Sequence, residues 1–359
     1  MILRCKSQPS GGSSEAPPSV WKANEQWRKS LSPSFLKSGS EDLEANPEIS
    51  SQRSIFSPSS FLTLYLPGHG NKPLDPMAVS AVHRTLVDTP APILAVHLTR
   101  VDLWVFGILR KNILEESVPK HVKKRHPLYK LTDPMDKSFQ NDLLDRYLCL
   151  RTMVVISILA ASNLVESCRV LSKWIRIADE TGQRLKNFYG FHCLASGLLG
   201  CPHLMSWNPL WSELKESHPM EWSLLNGPIR DLMHNCLAGE AASKPEATVP
   251  DVLPLIAEVS WCWDKEDCSS GLAKDKGDEE YLSSCAALTD VFTKNAQITF
   301  RQLRCTDDIL LDLFRTEFHV RLLWGSKGAV NLAICIVIPL AFLWKKRSEI
   351  ISLPQKRWK

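Results

Sequence analysis

Phe314-Arg315-Thr316-Glu317-Phe318-His319-Val320-Arg321-Leu322-Leu323-Trp324-Gly325-Ser326-Lys327-Gly328-Ala329 is the stretch from which the fold is read. It carries the end of a helix expected over Asp307–Leu323, and Trp324 at that helix end reads as a packing anchor, the usual place for a large aromatic. Apolar residues recur at the same helical period toward the N-terminus. Asp75 before Pro76 is an N-cap followed by a proline at the first helical position, after which Met77, Val79, Val82 and Leu86 follow at helical spacing. Further helices are expected over Ala91–Leu109, Lys137–Ala161, Asn163–Leu185, Phe188–Leu199, Leu210–Glu216, Trp222–Cys236, Val252–Trp263 and Glu279–Phe300. In the second of these, Leu143, Leu144, Tyr147, Leu148, Met153, Ile156 and Leu159 form a broad apolar face. Strand-like alternation is confined to short runs, so the fold class is all-α.

Composition narrows the function less than the fold. The chain has 359 residues, 44% hydrophobic and 23% charged, with a net charge of +4, an ordinary globular composition for one large or two modest domains. Apart from Lys120–Arg125 and Lys345–Arg347 there is no basic block, which argues against nucleic acid as a partner. The 11 cysteines are scattered and no signal peptide opens the chain, so they read as reduced thiols of a cytoplasmic protein. No Cys-x-x-Cys pair exists to supply half of a zinc site, and His121 and His126 bracket the cationic run Lys123-Lys124-Arg125. The expected metal and cofactor complement is therefore none.

The two ends of the chain differ from the middle. Residues 1–60 hold 16 serines and 6 prolines with no sustained apolar period, and such a segment buries too little surface to offset its ordering entropy. Residues 1–63 are accordingly expected to be a disordered Ser/Pro-rich linker. At the other end, residues 331–359 run from the apolar Leu332–Trp344 into Lys345-Lys346-Arg347. Thirteen apolar residues interrupted by Pro339 fall short of the roughly 20 that cross a bilayer. No stable membrane span is expected there.

Several of these segments share a resemblance. The Thr316–Ala329 run is similar to the TEFQMRLLWGSKGA segment of the novel SH2-containing protein family, and Gly70-Asn71-Lys72-Pro73-Leu74-Asp75-Pro76-Met77-Ala78 resembles its GNKPLEPMAL. Ala91–Asp102 resembles the opening helix of Ras guanine-nucleotide-exchange (RasGEF) domains, and Asn187–Leu198 resembles their Asn-Phe helix, with Trp207 or Trp211 near a Leu-x-x-Thr-Trp element. The resemblance covers roughly residues 64–330 and implies a RasGEF-like helical domain there. In that family a Ser/Pro-rich linker joins an SH2 domain to this domain, so the chain is expected to start inside the linker. Residues 331–359 depart from the family's charged terminal helix, as an alternative exon or a retained intron would.

What the resemblance implies for function divides into two. Active exchange domains insert a helical hairpin into a Ras-family GTPase such as Ras, Ral or Rap, and carry Ile-Asn-Phe-x-Lys-Arg-Arg on the second arm. Nothing like it lies between Tyr281 and Arg304, and only Glu266 offers itself in the first arm as the acidic member of the inserted pair. The adaptor branch instead grips the C-terminal helical domain of Cas-family scaffold proteins, which implies recruitment to focal adhesions or the plasma membrane. Carried onto this chain, the family's gripping positions fall on Cys285 and Thr289, beside Leu282, with the docking tyrosine at Leu225. Cys285, Thr289 and Leu225 depart from the family's leucine, arginine and tyrosine. The expectation is a signalling adaptor, with an active exchange factor and a generic helical interaction domain as alternatives.

Overall fold

Asp75 turns the chain into its first helix as its chemistry dictates. Its Oδ1 accepts from the N–H groups of Met77 at 3.0 Å and Ala78 at 3.1 Å, and Pro76, with no N–H to lose, takes the first helical position. The computed structural model describes residues 56, 61, 63, 65–66, 71–109, 127–132, 138–256, 283–301, 303 and 307–325, all within the unit Ser54–Lys359. In chain order these form α1 (Pro76–Asp88), α2 (Ala91–Val105), α3 (Ser138–Leu159), α4 (Leu164–Asp179), α5 (Phe188–Gly200), α6 (Pro202–Met205), α7 (Asn208–Ser217), α8 (Pro219–Leu224), α9 (Arg230–Leu237), α10 (Leu253–Ile256), α11 (Thr289–Phe300), α12 (Asp308–Leu313) and α13 (Thr316–Trp324). Among the described residues no strand forms, and one bridge pairs Asn187 with Val249. The protein is all-α, as its periodicity predicts.

The centre is the α3–α5 pair. Every residue of α5 is buried, and α3 is buried along nearly its whole length, the condition of a helix surrounded by others. Amphipathic α4 lies against this pair, packing on α2, α5 and α7. Asn163 caps it, accepting from Glu166 N–H at 2.9 Å. Its inner row Val170, Leu171, Trp174, Ile175 and Ala178 is buried. Trp174 is anchored by its indole N–H, which donates to Ser157 of α3 at 2.8 Å.

Some helices expected as continuous are divided. The Trp222–Cys236 segment is α8, a π turn over Leu225–Ile229 and α9, because Pro228 has no N–H to continue the ladder. The Asp307–Leu323 segment breaks at Phe314-Arg315 into α12 and α13. The break frees the Phe314 carbonyl for Arg146, whose Nη1 donates to it at 2.8 Å. The Glu279–Phe300 segment turns at Leu288 before α11 begins. Of Val252–Trp263, Leu253–Ile256 is helical, and residues 257–282 lie outside the described residues. So do residues 1–55, His121, His126, Glu266 and residues 331–359.

The two terminal motifs are in direct contact. Leu74 N–H donates to Leu322 O at 2.7 Å. Asn71 donates through Nδ2 to Arg321 O at 2.7 Å, and Arg321 returns a bond from Nη2 to Asn71 Oδ1 at 3.1 Å. Arg321 also donates to the carbonyl of Phe61, which packs in the core. Gly325 closes α13 at φ +83°, where a Cβ would lie 2.9 Å from Asn71 O, so both conformation and space favour glycine there.

Candidate functional site

Three motifs distant in sequence converge on one buried side chain, Arg146 of α3. Its Nε donates to Asp102 Oδ1 at 2.7 Å and its Nη2 lies 2.6 Å from the same oxygen, while its Nη1 donates to Phe314 O and, at 3.2 Å, to Thr316 Oγ1. The second carboxylate oxygen of Asp102 accepts from Asn187 Nδ2 at 2.6 Å. Asn187 also reaches Thr99 Oγ1 at 3.2 Å and caps α5, accepting from Gly190 N–H at 2.8 Å. A Cβ at Gly190 would stand 2.5 Å from both Asn187 Nδ2 and Asp102 Oδ2, so glycine is what lets α5 begin against the carboxylate. The Arg146 and Asp102 side chains are fully buried. Burial pushes the Asp102 carboxyl above the usual carboxylate range, opposed by the Arg146 guanidinium and the Asn187 amide. Such a pair fixes geometry more than it adds net stability.

The reactive groups around this network are held inert. His319 of α13 points Nε2 at Leu313 O, 2.8 Å away. Burial, helped by the positive charge of Arg146, lowers its pKa to about 3. It stays neutral across the physiological range. A second buried pair, His192 Nδ1 to Asp251 Oδ2 at 2.6 Å, fastens α5 to the start of α10, while Asp251 Oδ1 accepts from Leu253 N–H at 3.2 Å. The thiols of Cys149, Cys193 and Cys236 are buried and their pKa values raised by that burial, which removes the thiolate that nucleophilic chemistry needs. These buried pairs hold helices in place.

The residues singled out for partner contact are on the inner side of their helices. Leu225, in the π turn, is 1% exposed, Cys285 is 0% and Thr289 is 7%; Leu282 lies outside the described residues. Cys285 is raised to about 12 by burial and, secondarily, by the negative charge of Asp251. The Thr289 hydroxyl donates to Ala286 O at 2.6 Å. No hydrogen bond or ring contact brings Leu225 to Cys285 or Thr289 among the described residues. What faces outward on this arm is a stripe at helical spacing: Ser284, Ala287, Val291, Lys294 and Ile298. Val291 is 36% exposed and Ile298 64%, while Phe292, Ala296 and Phe300 form the buried row beneath.

Sequence reasoning missed Arg146, Val291 and Ile298. An arginine inside the apolar face of a helix expected to be buried is itself a signal, since such a charge requires a partner. For the other two the signal was the phase of α11, set by Phe292, Ala296 and Phe300.

The chain is similar to known proteins over most of its length. Residues 93–237 match the RasGEF domain family, which takes in α2 through α9. The human SH2 domain-containing protein 3C is 27% identical over 292 residues, 77% of this chain and 32% of that protein. The breast cancer anti-estrogen resistance protein 3 homolog of Rattus norvegicus is 23% identical over 299 residues, covering 79% of this chain and 35% of its own. Its Xenopus laevis counterpart is 25% identical over 288 residues, 77% and 35% respectively. The chain spans about a third of the length of the curated relatives it matches.

Proposed function

We propose, for a chain that carries a RasGEF-like domain of the novel SH2-containing protein family, that it acts as a signalling adaptor rather than as an exchange factor. The observation that carries the reading is the second hairpin arm. Its outward stripe carries Ala287, Val291 and Ile298 beside the polar Ser284 and Lys294, a surface that another helical protein can meet, while the arm lacks the Ile-Asn-Phe-x-Lys-Arg-Arg signature of active exchangers. The partner is the C-terminal helical domain of a Cas-family scaffold, met in the cytoplasm and at focal adhesions or the plasma membrane. Leu225, Cys285 and Thr289 then set the gripping helices from inside, and the contact atoms belong to their outward neighbours.

Two measurements separate this from exchange activity. Release of labelled GDP from Ras, Ral and Rap, with an authentic exchange factor as positive control, is expected to stay at its intrinsic rate. Acceleration proportional to protein concentration would reinstate the enzymatic reading. Calorimetry against a purified Cas C-terminal domain is expected to give a measurable Kd that Ile298→Glu weakens at least about tenfold, the loss of one apolar anchor of about 1.4 kcal/mol.

A further inference from the structure

The outer face of α11 is useful to a partner only if the helix sits at a fixed height and rotation, and its buried row does not secure that alone. Phe292, Ala296 and Phe300 are held by apolar contact, which is non-directional and tolerates rolling and sliding. A directional tie comes from the flank of the helix. Asn295 donates through Nδ2 to two carbonyls, Pro245 O at 2.7 Å and Ala247 O at 2.9 Å. Both protons of one amide nitrogen are thereby used on a single stretch of backbone.

That stretch is itself fixed on its other side. Thr248 N–H donates to Lys186 O at 3.0 Å, Thr248 Oγ1 to Leu185 O at 2.6 Å, and Phe188 N–H to Val249 O at 2.9 Å. The residue between these acceptors and donors, Asn187, is the one bonded to Asp102. A continuous run of hydrogen bonds thus leads from α11 through residues 245–249 to the Arg146 interior. We infer that Asn295 is the positioning residue of the α11 docking face, setting where Val291 and Ile298 stand without touching the partner. This rests on the adaptor reading for its purpose and on the two carbonyl contacts for its geometry.

The chemistry makes the role separable from packing. Aspartate matches asparagine in shape, yet at neutral pH it turns an oxygen toward two carbonyl oxygens, replacing two attractions by repulsion. Alanine removes the contact without repelling. Hydrogen–deuterium exchange on the full chain should show the amides of 246–249 and 289–300 exchanging about tenfold faster in Asn295→Asp, and less so in Asn295→Ala, with α3 unchanged. Binding to the purified Cas C-terminal domain should weaken about tenfold in Asn295→Asp, although no outward residue of the stripe has changed. Exchange in Asn295→Asp equal to that of the unsubstituted chain, or no faster than in Asn295→Ala, overturns the assignment, as does loss of protection throughout α3. If the unsubstituted chain does not bind the Cas domain, the adaptor reading fails, and the exchange comparison still decides the role of Asn295.

Discussion

The Arg146 interior and the outer face of α11 are built on opposite terms. In the first, the guanidinium, carboxylate and amide groups have partners at hydrogen-bond distance, the side chains are fully buried, and their neighbours leave no room even for the methyl of Gly190→Ala. In the second, Val291 and Ile298 are exposed large apolar side chains at 36% and 64%. The difference teaches where identity and activity reside in such a domain. The motifs that mark its kinship, Asp102, Asn187 and Thr316, point inward and determine what it is built as. On the proposed reading, a partner meets side chains that belong to no motif.

This contrast is sharpest under substitution. Arg146→Met should have the largest effect, a loss of about 3–5 kcal/mol in denaturant unfolding, because Asp102 is left as a buried charge without its partner. Adding Asp102→Asn to that chain should recover some of the loss; no recovery would mean that the contacts of Arg146 to Phe314 and Thr316 matter more than the ion pair. Gly190→Ala comes next, with about 1–3 kcal/mol lost as the new methyl displaces Asn187 or Asp102.

A smaller effect lies in the pH dependence of stability. His319 is neutral in the fold down to a pKa of about 3, whereas the unfolded chain takes up its proton near the ordinary value of about 6.5. Between those limits the unfolded state binds more protons, so stability falls as pH is lowered, by about 1.4 kcal/mol per pH unit for this one group. His319→Gln, which keeps a donor for Leu313 O, should flatten the profile by that slope between pH 6 and pH 4, as followed by urea midpoints. An unchanged slope would place the acid sensitivity elsewhere. The smallest effect on folding belongs to the outer face, where Ile298→Glu should shift stability by no more than about 0.5 kcal/mol while reducing Cas-domain binding. A large loss of stability there would erase the distinction between the two regions.

Much of the fold was legible in the sequence because it rests on local rules. Asp75-Pro76 and Asn163 started helices where their chemistry places them, and the apolar face of Lys137–Ala161 marked the buried centre. The breaks were not legible for a physical reason: the interruption at Phe314-Arg315 exists for a hydrogen bond to Arg146, 168 residues away along the chain. The site was less legible than the fold. Cys285 and Thr289 were placed by kinship on a helix whose rotation no motif states, and that rotation puts both inward. Only the phase of Phe292, Ala296 and Phe300, read together, points to Val291 and Ile298.

The contact of Asn71 and Leu74 with Arg321 and Leu322 has a mechanical consequence. A segment just ahead of the first helix and the end of the last one are tied directly to each other, so the two cannot separate without breaking those bonds. A force that pulls residues 71–74 from residues 321–325 acts on these few hydrogen bonds and on the turn at Gly325.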